Sequence, residues 1–190
     1  EKFFKILKDQ GYQYSNLVGA LDQLVTEVLE PYLDKKTNLS ITAGLEHITA
    51  LLSEISLEEN FLDSAPQKLQ DLFNWHAAEE IEHRSVAFDV LQEITKSYSK
   101  RIQGKINGYI IISVFSALST SYLLYQDKEL LKFKTIKDFT NIFFLDEKLL
   151  FKAIKIFVRY LDPAFHPDNE ELDDLATPVF KNLFANFGVA

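Results

Sequence analysis

Long runs of helically spaced apolar residues, interrupted by few glycines and prolines, constrain the fold of this chain most strongly. Its 190 residues include only six Gly and five Pro, and most of these lie between the periodic segments. Such a pattern favours long helices joined by short turns over a many-stranded sheet. With 47% hydrophobic and 25% charged residues, one globular domain is the usual outcome at this length. We therefore predict a single all-α domain over residues 1–190.

The apolar periodicity also predicts where the helices lie. Gly11 should end the first helix, and Pro31 should kink the end of the second. The predicted helices span residues 1–10, 15–36, 38 or 40 to 56, 64–96, 107–125, 136–144, 147–160 and 170–187.

The segment 107–125 carries no charged residue and is rich in Ile and Leu, so a membrane span has to be considered. Its length is near the lower limit for crossing a bilayer, and several Ser and Thr residues dilute it. We therefore favour a buried helix of a bundle.

Charge and cysteine content exclude several kinds of function. A net charge of -8, with lysines interspersed among acids, does not provide the basic surface that binds nucleic acid. The chain has no Cys, so any metal must be held by Glu, Asp and His. Such ligands suit iron or manganese better than structural zinc.

Two of the four histidines of the chain lie in the segment 75–90. Steps of seven from Leu69 pass through His76 and His83, and a parallel row from Phe73 passes through Glu80. These rows adjoin on an α-helix. We therefore expect His76, Glu80 and His83 to interrupt an apolar stripe that is otherwise buried.

A metal ion would explain an acidic residue in this stripe. A buried ionised carboxylate without a partner costs several kcal/mol at least, and Glu80 with His83 forms the Glu-x-x-His spacing found in di-iron carboxylate bundles. One such motif is weak alone, and a solvated face or a satisfied core network are the alternatives. With His76 one turn earlier, we predict a metal site, to which His76 and Glu79 are weaker candidate ligands, whereas Glu82 should face solvent or pair with a neighbouring base.

A metal centre of this kind needs a carboxylate from a second helix, and Glu46, followed by His47, is the obvious source. Small residues such as Ala43 and Ala50 flank it and would let a partner helix come close. Taken alone, Glu46 would be a surface residue about as often as a ligand.

Three other polar residues are expected to be structural or exposed. His166 lies between prolines at the end of a predicted helix, where it can cap the last carbonyl groups. Asp89 and Arg84 could support the ligands, but solvent exposure is the more common fate of either.

At these residues the sequence resembles a known family. Three segments match its signatures in order: Ser-Ile-Thr-Ala-Gly-Leu-Glu-His-Ile-Thr-Ala, Trp-His-Ala-Ala-Glu-Glu-Ile-Glu-His-Arg-Ser-Val-Ala-Phe-Asp-Val and Tyr-Leu-Asp-Pro-Ala-Phe-His-Pro. Together they span residues 40–167 and resemble the bacterial predicted metal-dependent hydrolases.

The resemblance implies a ferritin-like helical bundle with additional C-terminal helices and a two-metal centre. Glu46, Glu80 and His83 would supply half of the ligand set. His47 and His76 match positions near the centre, where they are weaker candidate ligands or groups that support the ligands. The other half, a Glu and a second Glu-x-x-His, would lie on helices upstream of Glu1. We expect this chain to lack those helices.

The family label implies a hydrolase in which a divalent metal activates water. The chemical alternative is a di-iron oxidase or oxygenase acting on a hydrophobic substrate, because carboxylate-rich centres in helical bundles typically handle dioxygen. Non-enzymatic metal binding and a helical interaction module are further alternatives. We expect two Fe ions, with Mn or Zn as options, and a small-molecule substrate.

Location and assembly follow less directly from the sequence. We expect a cytoplasmic protein. The many Phe residues and the segment 107–125 would also fit a peripheral membrane contact, although both are more often core packing. A homodimer is a further option.

Overall fold

The computed structural model describes residues 2–145 and 149–187. Every regular element within these ranges is helical, which confirms the all-α prediction. The α-helices are α1 (Lys2–Asp9), α2 (Ser15–Gln23), α3 (Lys35–Glu58), α4 (Gln67–His83), α5 (Val86–Ile94), α6 (Tyr98–Gln126), α7 (Phe133–Thr140), α8 (Leu149–Tyr160) and α9 (Asp173–Phe187). A π-helical turn, Leu24–Leu29, follows α2, and a π-helical segment, Asn141–Leu145, continues α7; short 3-10 turns are formed by Glu30–Tyr32 and Pro167–Asn169.

Helix α3 is the central element, and it contacts α4, α5, α6, α8 and α9. Asp34 defines its start, because the Asp34 side chain accepts hydrogen bonds from the backbone N–H groups of Lys36 at 3.0 Å and Thr37 at 3.1 Å. This is the usual way to satisfy the first donors of a helix. The predicted second helix, 15–36, therefore ends early: after Pro31 the backbone becomes extended at Leu33, and Asp34 begins a new helix.

Three apolar clusters hold other helices against α3 and α4. The buried residues are Ala78, Ile81, Leu172 and Ala176 between α4 and α9; Ala43, Ala87 and Leu91 between α3 and α5; and Leu51, Ile55 and Ile156 between α3 and α8. Small side chains are common in the first two clusters, so these helices pack closely.

Helices α3 and α6 cross at glycines, where their backbones touch. A Cβ atom on Gly44 would lie 2.8 Å from the carbonyl oxygen of Gly104, and one on Gly104 would overlap the backbone of Ser40. One turn later, a Cβ on Gly108 would lie 3.3 Å from the Gly44 carbonyl carbon. Glycine is required here for close approach rather than for an unusual φ angle.

The predicted fourth helix, 64–96, is two helices separated at Arg84 and Ser85. The Arg84 side chain turns inward and donates hydrogen bonds to the carbonyl oxygens of Ile81 at 2.7 Å and Pro167 at 3.1 Å. Arg84 thereby competes for the carbonyl oxygen of Ile81, which in a continuous helix accepts the backbone N–H of Ser85. The first of the two helices, α4, begins at Gln67.

The prediction that residues 107–125 form a buried bundle helix is wrong for this chain. Helix α3 covers only the first part of α6, and within 107–125 only Gly108 is buried. On the outer side of α6, Ile110, Val114 and Leu118 are about half exposed. By length and apolar composition α6 could cross a bilayer, and only 6% of its most apolar 18-residue window is buried.

Candidate metal centre

Glu46 extends from α3 to the start of α5. Its Oε2 atom accepts a hydrogen bond of 2.8 Å from the backbone N–H of Ala87, in the first turn of α5, where free N–H groups attract negative charge. The side chain is half-buried. Burial raises the pKa of the Glu46 carboxyl above its ordinary value, the Ala87 N–H opposes this, the Glu80 carboxylate raises the pKa further, and His83 lowers it. Glu46 therefore lies within electrostatic reach of both predicted ligands on α4.

Glu80 and His83 lie on the flank of α4 beside Glu46. Glu80 is half-buried, with 26% of its side chain exposed, and its Oε1 atom lies 3.5 Å from His76 Nε2 one turn earlier. His83 and His76 are exposed, and Glu79 is half-buried. The structure thus brings Glu46, Glu80 and His83 into one neighbourhood and adds His76 through its contact with Glu80.

The expectation that this row faces the core is wrong. The buried face of α4 consists of Ala77, Ala78 and Ile81, which pack toward α9 and α3 because their small side chains permit close contact. The row expected to be buried is largely open, since Phe73 and Val90 are each 43% exposed. Glu80 therefore sits at the edge of the α3–α4 interface rather than inside it.

His47 lies in a different pocket from its sequence neighbour Glu46. It is 3% exposed; its Nδ1 contacts the ammonium group of Lys105, and its ring packs edge-on against Tyr160 at 4.8 Å. Burial, with the charges of Lys105 and Arg159, lowers the pKa of His47 to about 2. The imidazole is therefore neutral, and no described hydrogen-bond partner meets its Nε2 atom.

A second candidate group was not recognised from the sequence. Asp89, His166 and Asp168 each offer a ligand atom, and these atoms all lie within 4.8 Å of one another. Among the residues described, Glu46, Glu80 and His83 do not form so compact a group, so in this conformation they are neighbours rather than a closed ligand set. A signal was available, because Asp89 is the penultimate residue of the second signature and His166 lies in the third.

In this second group, both ring nitrogens of His166 have hydrogen-bond partners without a metal. His166 Nδ1 accepts the backbone N–H of Asp168 at 3.2 Å, so the proton of the neutral ring belongs on Nε2, which lies 2.9 Å from Asp89 Oδ1 and donates to it. A metal ligand at Nε2 would need that nitrogen free of its proton. The Arg84 guanidinium also lies 3.9 Å from the Asp168 carboxylate and balances part of its charge.

Two buried arginines hold the segment that carries His166. Arg84 is only 6% exposed, so its predicted solvent exposure is wrong; besides Pro167 it binds Asp173 Oδ1 at 2.9 Å. Arg101 donates to the carbonyl oxygens of Tyr160 at 3.1 Å and Asp162 at 2.7 Å. The third signature is thus fixed to α4 and α6. Asp89 is exposed as expected, but it is paired with His166.

Comparison with known families gives one match. Residues 1–171 match the family described as predicted metal-dependent hydrolase, which confirms the resemblance seen in the sequence. No curated protein and no solved structure matches the chain.

Proposed function

The chain belongs to the predicted metal-dependent hydrolase family, and we propose that it hydrolyses a small-molecule substrate with a divalent metal held between α3 and α4. Glu46, Glu80 and His83 would be the principal ligands, with His76 and Glu79 as further donors from α4. A family described as metal-dependent implies a divalent metal, and its placement in this chain rests on the geometry of these side chains.

One observation carries this placement. Two half-buried carboxylates, Glu46 and Glu80, lie within electrostatic reach of each other, so that the charge of Glu80 raises the pKa of Glu46. Two like charges in a partly buried site destabilise the folded protein unless a cation balances them. Carboxylate and imidazole donors suit Fe, Mn and Zn, so the residues fit a divalent metal.

The protein groups have separate tasks in this proposal. A metal held by these residues would supply hydroxide near neutral pH by lowering the pKa of water. The backbone N–H of Ala87 fixes one oxygen of Glu46, and the other oxygen would bind the metal. His76, paired with Glu80, orients that carboxylate.

The finer proposal is a two-iron centre, for which the Glu-x-x-His spacing of Glu80 and His83 is the support. The same spacing favours a second candidate function, in which the ferrous protein activates dioxygen to oxidise a hydrophobic substrate. Hydrolysis is preferred because it is the activity in the family description.

The test uses metal-free protein loaded separately with Fe²⁺, Mn²⁺ and Zn²⁺. Hydrolysis of nitrophenyl esters of short and long acyl chains is followed, and dioxygen uptake is recorded for the ferrous form. We expect metal-dependent hydrolysis that is lost in Glu80→Gln and His83→Ala. Glu82→Gln is the matched control, because Glu82 is exposed on the same helix, and it should keep full activity.

Three results would contradict the hydrolase proposal. Ester hydrolysis that does not depend on metal would exclude a metal-activated water. Dioxygen uptake without hydrolysis would select the oxidase or oxygenase. Stoichiometric metal with neither activity would indicate a metal-binding protein.

A further inference from the structure

Four successive elements expose large apolar side chains, and we call this set the outer apolar residues. They are Ile106, Ile110, Val114 and Leu118 of α6; Phe133, Ile136 and Phe139 of α7; Phe143 and Phe144 of the π-helical segment; and Leu150, Phe151, Ile154 and Val158 of α8. Their exposure ranges from 38% to 80%. Apolar exposure on this scale marks a surface that contacts a membrane or another protein.

The spacing shows that two of these helices are apolar on both sides. On α6 the outer residues follow one another at intervals of four, on the side opposite to Gly104 and Gly108, which touch α3. On α8, Ile154 and Val158 lie opposite to the buried Ile156. A helix at a water-exposed surface has a polar outer side, so the outer sides of α6 and α8 are built for an apolar neighbour.

Within the described residues, helix α7 and the π-helical segment pack against few other elements. Within the described ranges they contact mainly each other and α8, and Phe139 stacks on Phe143 with ring centroids 4.4 Å apart. Both rings remain partly exposed, at 53% and 38%. This part of the chain therefore presents aromatic side chains outward instead of burying them.

The net charge of residues 127–160 indicates what kind of surface the outer apolar residues contact. Residues 127–160 contain eight basic and five acidic side chains, a net charge of +3. The whole chain has a net charge of -8, so the remainder carries -11. Lys134 and Lys137 are exposed, and no ion pair joins either to another described residue. An amphipathic segment with Phe, Leu and Lys in a positive region of an acidic protein has the composition of an interfacial membrane anchor.

We propose that the outer apolar residues dock this chain on an anionic lipid bilayer, with the lysines of α7 against the phosphate-bearing headgroups. A second copy fits this surface less well, because two-fold pairing would bring positive segments together. An anionic bilayer offers both an apolar interior and negative charge. This contact does not depend on the proposed hydrolysis.

Vesicle flotation tests the contact directly. The full chain is mixed with vesicles of phosphatidylcholine alone or of phosphatidylcholine with phosphatidylserine, and bound protein is measured at low and high salt. We expect binding to the serine-containing vesicles that weakens with salt. The pair Lys134→Glu and Lys137→Glu should lower this binding more than tenfold, since each lysine near an anionic surface contributes about fivefold. Phe133→Ser with Ile136→Ser should lower binding to a similar degree.

Matched substitutions elsewhere separate docking from general surface effects. Lys68→Glu and Tyr32→Ser alter an exposed lysine and a tyrosine that is 83% exposed, both outside the segment, and should leave binding unchanged. Circular dichroism checks that each variant keeps its helices. The proposal is overturned if the wild-type chain binds neither kind of vesicle. It is also overturned if the wild type is a dimer and the α7 variants are monomers in analytical ultracentrifugation.

Discussion

The carboxylate of Glu46 accepts a hydrogen bond from the backbone N–H of Ala87 at 2.8 Å, and so joins the middle of α3 to the first turn of α5. The bond crosses just beyond the break at Arg84 and Ser85. It holds Glu46 beside the flank of α4 that carries Glu80 and His83. One side chain thus serves the packing of two helices and the proposed metal.

Two substitutions of Glu46 should separate these roles. Glu46→Gln keeps an oxygen that can accept the Ala87 N–H but removes the charge, whereas Glu46→Ala leaves that N–H without its partner. We expect Glu46→Ala to lower the free energy of unfolding of the metal-free protein by about 1–3 kcal/mol, and Glu46→Gln to be at least as stable as the wild type, because it also removes the repulsion from Glu80. Both should lose bound metal. Urea denaturation with metal analysis measures this, and equal stability of the two variants would argue against the bond.

The crossing of α3 and α6 should depend on Gly104. A methyl group there would overlap the backbone of Ser40, and backbone cannot move aside as a flexible side chain can. We expect Gly104→Ala to destabilise the protein by about 1–3 kcal/mol. Gly19→Ala is the control: nothing lies within 4 Å of its added Cβ, so it should stabilise α2 by about 0.5–1 kcal/mol. Thermal unfolding that ranks them in the opposite order would disprove the close crossing.

Lys105 should make stability depend on pH. Its side chain is fully buried, with Nζ 4.4 Å from the centre of the Tyr160 ring, and burial lowers its pKa from 10.5 to about 6, with Glu170 opposing. Between these values the unfolded chain binds a proton that the folded chain does not. The contribution of Lys105 to the free energy of unfolding therefore rises as pH increases from about 6 toward 10.5.

Lys105→Met should remove that slope and stabilise the protein most at or below pH 6. Urea denaturation over a pH series measures the difference between wild type and variant. Lys96 is exposed, so the control substitution Lys96→Met should leave the slope of stability against pH unchanged. A gain from Lys105→Met that is the same at every pH would show that the lysine does not titrate in this way.

Arg101 should be needed to hold the third signature. Arg101 is 3% exposed, and its guanidinium donates to the carbonyl oxygens of Tyr160 and Asp162. Arg101→Met leaves these buried acceptors unpaired, and we expect a loss of about 2–4 kcal/mol. Gln103→Met, exposed two residues later, should change the free energy of unfolding by less than about 0.5 kcal/mol. Equal midpoints of chemical denaturation would refute the role of Arg101.

Local sequence signals were sufficient to predict most helices, but they could not predict the tertiary contacts around those helices. Periodicity predicted α3 to within a few residues, because its apolar positions from Ile41 to Ile55 repeat at helical spacing over about four turns. The break at Arg84 and Ser85 carries no Gly or Pro. It depends on Pro167 and Asp173, which only the fold brings near.

The candidate site, too, could be predicted only in part from the sequence. Glu46 and Glu80 could be associated from the sequence because each stands in a conspicuous motif, and the structure sets them within electrostatic reach. His47 lies next to Glu46 in the chain, yet a turn of about 100° between successive residues directs it to Lys105 instead. Whether these side chains bind metal, and whether the bundle is ferritin-like, stay predictions.

Element-resolved metal analysis of purified variants tests the central claim most directly. We predict that Glu80→Gln and His83→Ala each lose most of the metal bound by the wild-type chain, whereas His166→Ala and Asp168→Asn retain it. The opposite pattern, with metal kept in the α4 variants and lost in His166→Ala, would place the metal at Asp89, His166 and Asp168 and contradict the account.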